Sequence, residues 1–232
     1  MRYLLLLLSL IVGSIATIDA KKNHNKPDLG VAESTIATNE NSETKNVTSL
    51  FLSAPDELMP ALPYATRLDM LDYFNYGSNR AIQNIFGGES RILSINESDM
   101  TVQASDVHTY QIILLKKGKE NIIAVITTLL TPTADSHIDF YDMQWQKTDN
   151  KLFEAPTLKN WLTSEGQKHL ADIENALPFT LVSYSYDPQN SILTLTNNSC
   201  QTLSAEDNEK LSQYFIPSIS YKWNGKKMNK LK

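Results

Sequence analysis

The sequence has 232 residues and a formal net charge of −5, from 21 basic and 26 acidic side chains. This mild acidity provides no basic surface of the kind that nucleic acids require, so we exclude nucleic-acid binding. Cys200 is the only cysteine. A chain with one thiol forms no internal disulfide and no cysteine-based zinc site, so its stability must come from a packed core.

Residues 1–20 have the pattern of a secretory signal peptide. Arg2 gives a positive start, residues 4–12 form an apolar run that contains one polar residue, Ser9, and small residues follow. The run is too short to span a bilayer, and no cysteine lies near its end for a lipoprotein anchor. We therefore expect cleavage after Ala16 or Ala20, with Ala20 preferred. The mature protein is expected to be soluble and periplasmic or secreted, with no transmembrane segment.

Residues 21–48 are polar, with scattered single aliphatic residues and no aromatic residue. Such a segment buries too little apolar surface to offset the entropy lost on ordering, so we predict a disordered spacer. The folded part is then a single domain over residues 49–232. A sub-boundary near residues 150–178 is the alternative.

Short helices are predicted between residues 53 and 88, where proline and glycine interrupt apolar positions at helical spacing. The first begins at Ser53 and is kept short by Pro63, and the second covers residues 66–74. The third begins at Ser78 and ends at Gly87, as a left-handed cap would end it. The side chains predicted to be buried in the first and third helices are Leu58, Met59, Leu62, Ile82, Ile85 and Phe86.

Strands dominate from residue 91 onward. The five predicted segments that come first are 91–95, 100–104, 110–115, 121–130 and 136–145. The polar, glycine-bearing connection at residues 116–120 indicates a hairpin. Residues 122–126 are apolar at every position, which is typical of a central strand covered on both faces. We expect residues 136–145 to pair next to it.

The C-terminal third mixes both kinds of element. A short helix is predicted over residues 156–162, a second hairpin joins 179–186 to 191–196, and Ser204 caps a last helix. A closing strand at residues 219–223 precedes a frayed, lysine-rich tail. Consecutive strands joined by tight turns predict an α+β fold, mainly antiparallel sheet with short helices packed on it. Two similar helix-plus-sheet modules remain an alternative, although no sequence period supports a repeat.

Four aspartates are the candidate catalytic residues. Asp69 and Asp72 share one face of a predicted helix, and Asp135 and Asp139 lie around the start of a predicted strand. Paired carboxylates can divide acid and base roles, but we favour a solvated helix face for the first pair because no motif surrounds it. The run Asp135-Ser136-His137 does not predict a triad, since triad residues meet in space and the sequence has no Gly-x-Ser-x-Gly elbow.

No metal or cofactor signature is present in the sequence. The histidines are scattered, without the spacing of a zinc site. Gly87 and Gly88 lack the lysine and the preceding strand of a phosphate-binding loop. Cys200 has no basic neighbours to activate it, so a small packing residue is the simpler interpretation. We therefore predict no metal and no cofactor.

Tyr184, Tyr186, Tyr221 and Trp223 recur at strand spacing and are the candidate binding residues. Exposed, they would form a platform for sugar rings or for a partner protein. The alternative is that they line one sheet face as core, which we favour. The partner would be a protein or a glycan, and the oligomeric state is left open.

Several short motifs stand out in combination: Leu58-Met59-Pro60, residues 67–73, Thr131-Pro132, Asp135-Ser136, Phe140-Tyr141-Asp142 and Trp145. Together they resemble an uncharacterised family of exported Bacteroidales proteins, a domain of unknown function. The similarity extends from about Leu50 to the C-terminus and leaves out the leader and the spacer. The resemblance implies a location in the envelope of an anaerobic, diderm bacterium or outside the cell, and it implies no activity.

The sequence favours a non-enzymatic binding or structural protein of the bacterial envelope, because no nucleophile elbow, metal-ligand spacing or phosphate loop is present. The alternative is an envelope hydrolase that acts on glycan or peptide with the four aspartates. A deep cleft with converging carboxylates would favour the enzyme, and an aromatic or apolar patch would favour the binding protein.

Overall fold

The computed structural model describes residues 46–78, 80–148, 151–177 and 179–231. The predicted signal peptide and residues 21–45 of the predicted spacer lie outside the described residues, as does Lys232 of the predicted tail. Within the described part of the chain, no helix is long and apolar enough to cross a membrane.

Four α-helices and ten strands are formed by the described residues. The helices are α1 (Val47–Ser53), α2 (Tyr64–Asn75), α3 (Leu170–Ala176) and α4 (Ala205–Leu211). The strands are β1 (Ile82–Gln83), β2 (Glu89–Ile95), β3 (Asp99–Ser105), β4 (His108–Lys117), β5 (Glu120–Leu129), β6 (Asp135–Tyr141), β7 (Val182–Asp187), β8 (Ile192–Asn197), β9 (Ser218–Trp223) and β10 (Met228–Lys230). Short 3-10 helices cover Leu158–Trp161, Gly166–His169, Ser199–Thr202 and Ser212–Tyr214.

The strands form two antiparallel sheets. The large sheet has six strands in the order β1-β2-β3-β4-β5-β6, and the small sheet has four in the order β10-β9-β8-β7. Sequential strands are neighbours throughout, which confirms the predicted α+β fold with mainly antiparallel pairing. The predicted hairpin between β4 and β5 is confirmed, with Gly118 at a φ of 62° in its turn.

Two apolar clusters lie on opposite faces of the large sheet. Ile123 and Val125 of β5 belong to one cluster, together with buried side chains of α1 and α2. Ile122, Ala124 and Ile126 belong to the other, together with buried side chains of the small sheet. Strand side chains alternate between faces, so β5 is covered on both sides as predicted.

Helix α1 begins within the predicted spacer. Asn46 caps it, since its side chain accepts a hydrogen bond from the Ser49 N–H at 2.9 Å and Ser49 Oγ accepts one from the Asn46 N–H at 3.1 Å. Val47, Leu50 and Phe51 are buried. The folded part of the chain therefore includes residues 46–48, which the composition of the spacer had obscured.

Two of the predicted helices between residues 53 and 88 are wrong. Ser53 ends α1 instead of starting a helix, and residues 54–63 form turns. The segment from Ser78 forms strand β1, which leaves Phe86 73% exposed. Asn84 explains the second error, because its Oδ1 atom accepts hydrogen bonds from the N–H groups of Phe86 and Gly88. A local side-chain bond of this kind favours a turn over a helix.

The lysine-rich C-terminal segment is paired, not frayed. After β9 the chain turns through Gly225, at a φ of 84°, and returns as β10. Met228 of β10 is buried in the core between the sheets. The sequence concealed this strand because only one large apolar residue marks it before Leu231.

Candidate functional site

The aromatic residues predicted as candidate binding residues lie between the two sheets. Tyr186 is 5% exposed, Tyr221 and Trp223 are each 8% exposed, and Tyr184 is half-buried. The Trp223 indole N–H donates to the Lys116 carbonyl at 2.9 Å. These positions are core positions, so an exposed aromatic platform does not exist at this sheet face.

Phe153 joins two of these tyrosines at the rim of the core. Its ring packs edge-on against Tyr221 at a centroid distance of 5.1 Å and against Tyr184 at 5.8 Å. Burial raises the pKa of Tyr184 to about 12, and burial followed by the nearby Glu154 carboxylate raises the pKa of Tyr221. Both phenols therefore stay neutral and pack as apolar rings at neutral pH.

A cleft of about 390 Å³ opens beside strand β10, next to this aromatic group. The loop at residues 154–157 and Asn160 line one side of the cleft, and residues 227–230 line the other, with Tyr221 between them. An adjoining space of about 510 Å³ is lined by residues 151–154 together with Lys227 and Met228. The two spaces share Glu154, Lys227 and Met228 as lining residues, and we call them together the β10 cleft.

One backbone contact explains why the cleft exists. The Met228 N–H donates to the Leu152 carbonyl at 2.7 Å, which holds the preceding loop against β10 at that point. Beyond it, Pro156 and the 3-10 helix at Leu158–Trp161 turn the chain away. The Asn160 side chain stabilises that turn, since its Oδ1 atom accepts from the Thr157 N–H at 2.9 Å. The loop therefore diverges from β10 instead of continuing beside it.

The charged side chains around the β10 cleft are predominantly basic. Lys151, Lys227 and Lys230 are exposed lining residues, and Glu154 is the carboxylate among them. Three positive charges against one negative charge attract an anionic ligand. The sequence predicted a frayed tail for Lys227 and Lys230, so the cleft was not predicted.

The two edges of the small sheet differ. The outward N–H groups of β7 are bonded by side chains of the large sheet: Val182 to Asp135 Oδ1, Tyr184 to Ser136 Oγ and Tyr186 to Gln111 Oε1, each at 3.0 Å. Edge β7 is therefore closed. Strand β10 is the other edge of the small sheet. Its residues line the cleft, and these are the residues with which a further strand would pair.

The four candidate aspartates do not converge. Asp69 and Asp72 are exposed on α2, which packs near β2, whereas Asp135 and Asp139 lie on β6 at the opposite edge of the large sheet. Asp135 closes the β7 edge, and Asp139 forms an ion pair with Lys147 at 2.8 Å. Asp135 and Asp139 therefore make structural contacts, and the structure does not bring the four carboxylates into one site.

Metal and thiol chemistry gain no support from the described residues. Nowhere in the described ranges do three His, Cys, Asp or Glu side chains form a metal-binding group. Cys200 is half-buried, and burial raises the pKa of its thiol, which disfavours the nucleophilic thiolate.

A second cavity, of about 310 Å³, lies at one end of the large sheet. Phe86, His108 and Tyr110 are among its lining residues. Burial, and then the charge of His137, lower the pKa of His108, whose Nε2 atom is buried without a hydrogen-bond partner. Exposed Ile85, Val107, Leu129 and Leu130 complete an apolar area around strands β1, β3 and β5. This area has no charge pattern that identifies a ligand.

The fold and the cleft define a two-sheet antiparallel α+β domain with an open strand edge. The chain belongs to the family described as "Protein of unknown function (DUF3256)", whose model matches residues 39–228. The fold is similar to a solved "domain of an uncharacterized protein from Porphyromonas gingivalis W83", with a TM-score of 0.70 and 20% identity over 80% of this chain and 97% of that chain. The comparison with curated proteins finds no match.

Proposed function

We propose that this protein is an exported, non-enzymatic binding protein of the bacterial envelope and that the β10 cleft holds its partner. One observation carries the proposal: an open strand edge, an aromatic group and three lysines meet in the same groove. The strand edge can provide backbone hydrogen bonds to a partner, the aromatic group can provide apolar contact, and the lysines can provide charge.

Binding is favoured over catalysis by the chemistry of the lining. Glu154 is the carboxylate of the cleft, and the residues that line it include no second acid, histidine or cysteine. Glycoside hydrolysis commonly requires two carboxylates, and peptide hydrolysis requires an activated nucleophile or a metal-bound water. The lining residues therefore fit recognition better than bond cleavage.

Export rests on the signal-peptide pattern of residues 1–20 and on the resemblance of the motifs to an exported Bacteroidales family. Mass spectrometry of envelope and culture fractions is expected to find an N-terminus at Thr17 or Lys21. A cytoplasmic pool that retains Met1 would contradict export.

The site can be tested by nuclear magnetic resonance on the mature chain. Peptide and glycan fragments prepared from bacterial envelopes are added, and amide shifts are followed at Glu154, Lys227 and Lys230. We expect a binding fragment to move these signals, and Lys227→Glu to weaken the effect by about fivefold, as the loss of one surface charge pair allows.

Lys222→Glu is the matched control, because Lys222 lies on the neighbouring strand β9 with its side chain on the opposite face from Tyr221. It makes the same charge change outside the cleft, so binding should persist. If every fragment moves only signals around Phe86 and His108, the partner site lies at the other cavity and the assignment to the β10 cleft is wrong.

A further inference from the structure

We infer that the ligand of the β10 cleft is an extended acidic peptide that adds to the small sheet as a fifth strand, an inference that rests on the proposed function. The backbone geometry of β10 is the first support. Asn229 pairs with Lys222 of β9, and the flanking bonds run from Asn224 N to the Lys227 carbonyl at 3.2 Å and from Leu231 N to the Ser220 carbonyl at 2.8 Å.

In an antiparallel ladder, alternate residues direct their N–H and C=O groups to opposite sides of the strand. Met228 and Lys230 therefore direct theirs away from β9. Met228 demonstrates this direction, because its N–H reaches the Leu152 carbonyl. The N–H and C=O groups of Lys230 point the same way, and there the loop has already diverged and the cleft begins. A peptide residue opposite Lys230 would continue the ladder that Leu152 starts.

Other sheet edges are protected against strand addition, and the β7 edge is one of them. There, Asp135, Ser136 and Gln111 occupy the N–H groups that an added strand would need. In the large sheet, β1 pairs with β2 through two residues, and β2 carries a register shift between Ile92 and Ser94, a feature that blocks further pairing. At edge β10 the Leu152 carbonyl occupies the Met228 N–H, but the edge has neither protection at Lys230. Strand addition at such an edge is a common mode of peptide recognition.

Charge selects the kind of peptide. Lys230 and Met228 share a face of β10 with Tyr221 of β9, and Lys227 lines the same groove. A glutamate directly opposite Lys230 would place its carboxylate beside Lys230, since side chains of directly paired residues are neighbours on one face. Lys227 adds a second positive charge to the groove. An acidic peptide is thus the complementary partner, whereas a basic one would be repelled.

The probe is a short peptide with blocked termini in which glutamate alternates with threonine. The control peptide has the same length and has lysine in place of each glutamate. Affinities are measured by isothermal titration with the mature chain at low and high salt. The acidic peptide should bind about fivefold or more tightly than the basic one, and added salt should weaken it. Lys230→Glu should reverse the preference between the two peptides, while Lys222→Glu should keep it.

Backbone methylation separates strand addition from simple charge attraction. In an added strand that continues the antiparallel pairing of the small sheet, the residue opposite Lys230 directs its own N–H toward β10. Methylating the glutamate nitrogens should therefore abolish binding, and methylating the threonine nitrogens should leave it intact. Equal binding of both methylated peptides would overturn the added strand. Equal binding of the acidic and basic peptides would overturn the charge selection.

The outcomes also distinguish this inference from the proposed function. If the peptides leave the Lys227 and Lys230 signals unmoved while an acidic oligosaccharide moves them, the cleft binds a partner but the ligand is not a peptide strand. If neither peptides nor oligosaccharides move those signals, the β10 cleft is not a binding site and both statements fail. In that case the lysines act only to discourage edge-to-edge association, the usual role of charges at sheet edges.

Discussion

The Gln111 carboxamide pairs with the backbone of Tyr186 as a neighbouring strand would. Its Oε1 atom accepts a hydrogen bond from the Tyr186 N–H at 3.0 Å, and its Nε2 atom donates to the Tyr186 carbonyl at 2.8 Å. The same Nε2 atom donates to Oδ2 of Asp99 at 3.0 Å. Because Gln111 lies on β4 of the large sheet and Tyr186 on β7, one side chain joins the two sheets.

Gln111→Glu tests this junction. The substitution keeps the shape and the acceptor but removes the donor, so the Tyr186 carbonyl loses its partner and a second carboxylate lies beside buried Asp99. A buried group left without its hydrogen bond costs about 1–3 kcal/mol. We expect the free energy of unfolding in urea to fall by this amount.

Gln167→Glu is the control for that measurement, because Gln167 is exposed and the same chemical change there should alter stability by less than about 0.5 kcal/mol. If Gln111→Glu unfolded with the same free energy as the unmodified protein, the other contacts between the sheets would be enough to hold them together.

Two core substitutions test whether β5 is covered on both faces. Ile123 is fully buried on the helix side of the large sheet, and Ile126 is 1% exposed on the side of the small sheet. Truncation to alanine removes buried surface and leaves a cavity, so Ile123→Ala and Ile126→Ala should each lower the free energy of unfolding by about 2–5 kcal/mol. Denaturant titration of each variant provides the measurement.

Ile85→Ala makes the same truncation at a side chain that is 60% exposed and should change stability little. A result in which only one of the two core variants is destabilised would mean that one face of the sheet packs poorly.

The central strand could be predicted because its signal is local. Five consecutive apolar residues at 122–126 require cover on both faces whatever lies nearby, and the polar turn before them sets the hairpin. Strand β1 could not be predicted in this way. Apolar spacing around Ile82 suggested a helix, but the Asn84 side chain bonds the turn that follows it and also reaches the Ala104 carbonyl, twenty residues away.

The candidate site lay further beyond sequence reasoning. The β10 cleft depends on one contact between Leu152 and Met228 and on the divergence of the chain after it, and neither leaves a pattern in composition. The closed β7 edge depends on Gln111 and Tyr186, which are 75 positions apart. The aromatic residues at strand spacing were visible, but their burial was decided by the packing of the two sheets against each other.

The ion pair between Arg67 and Asp56 yields a third prediction. Arg67 Nη2 lies 2.9 Å from Asp56 Oδ1, and Arg67 is 2% exposed, while its Nε and Nη1 atoms are buried without a partner. Burial lowers the pKa of Arg67, and the Asp56 carboxylate opposes that shift. Removing the partner leaves a buried charge unpaired, so Asp56→Ala should destabilise the protein more than Arg67→Met, which removes the charge itself.

Thermal melts of the two variants and of the double variant provide the measurement. The double variant should resemble Arg67→Met, because Asp56 has no buried charge left to compensate. If Arg67→Met were the less stable single variant, the folded protein would tolerate the unpaired guanidinium better than the loss of the arginine side chain, and the prediction would be wrong.

The fourth prediction concerns alkaline pH. Burial raises the pKa of Tyr184 and of Tyr110 to about 12 from an ordinary value of about 10. Between these values the unfolded chain has released the two phenolic protons and the folded chain still holds them. The unfolded state then binds fewer protons, so the free energy of unfolding must fall as pH rises from about 10 toward 12.

Tyr184→Phe should reduce the slope of this loss, since phenylalanine has no proton to release in either state. Tyr184 is preferable to Tyr110 for the test because the Tyr110 hydroxyl also donates to the Leu58 carbonyl at 3.2 Å, so its removal costs a hydrogen bond at every pH. Urea titrations on both sides of pH 10 give the slope, and Tyr76→Phe, at a position 88% exposed, provides the control. An unchanged slope in Tyr184→Phe would mean that the Tyr184 phenol ionises in the folded protein as readily as in the unfolded chain, and that the aromatic group beside the β10 cleft is open to solvent.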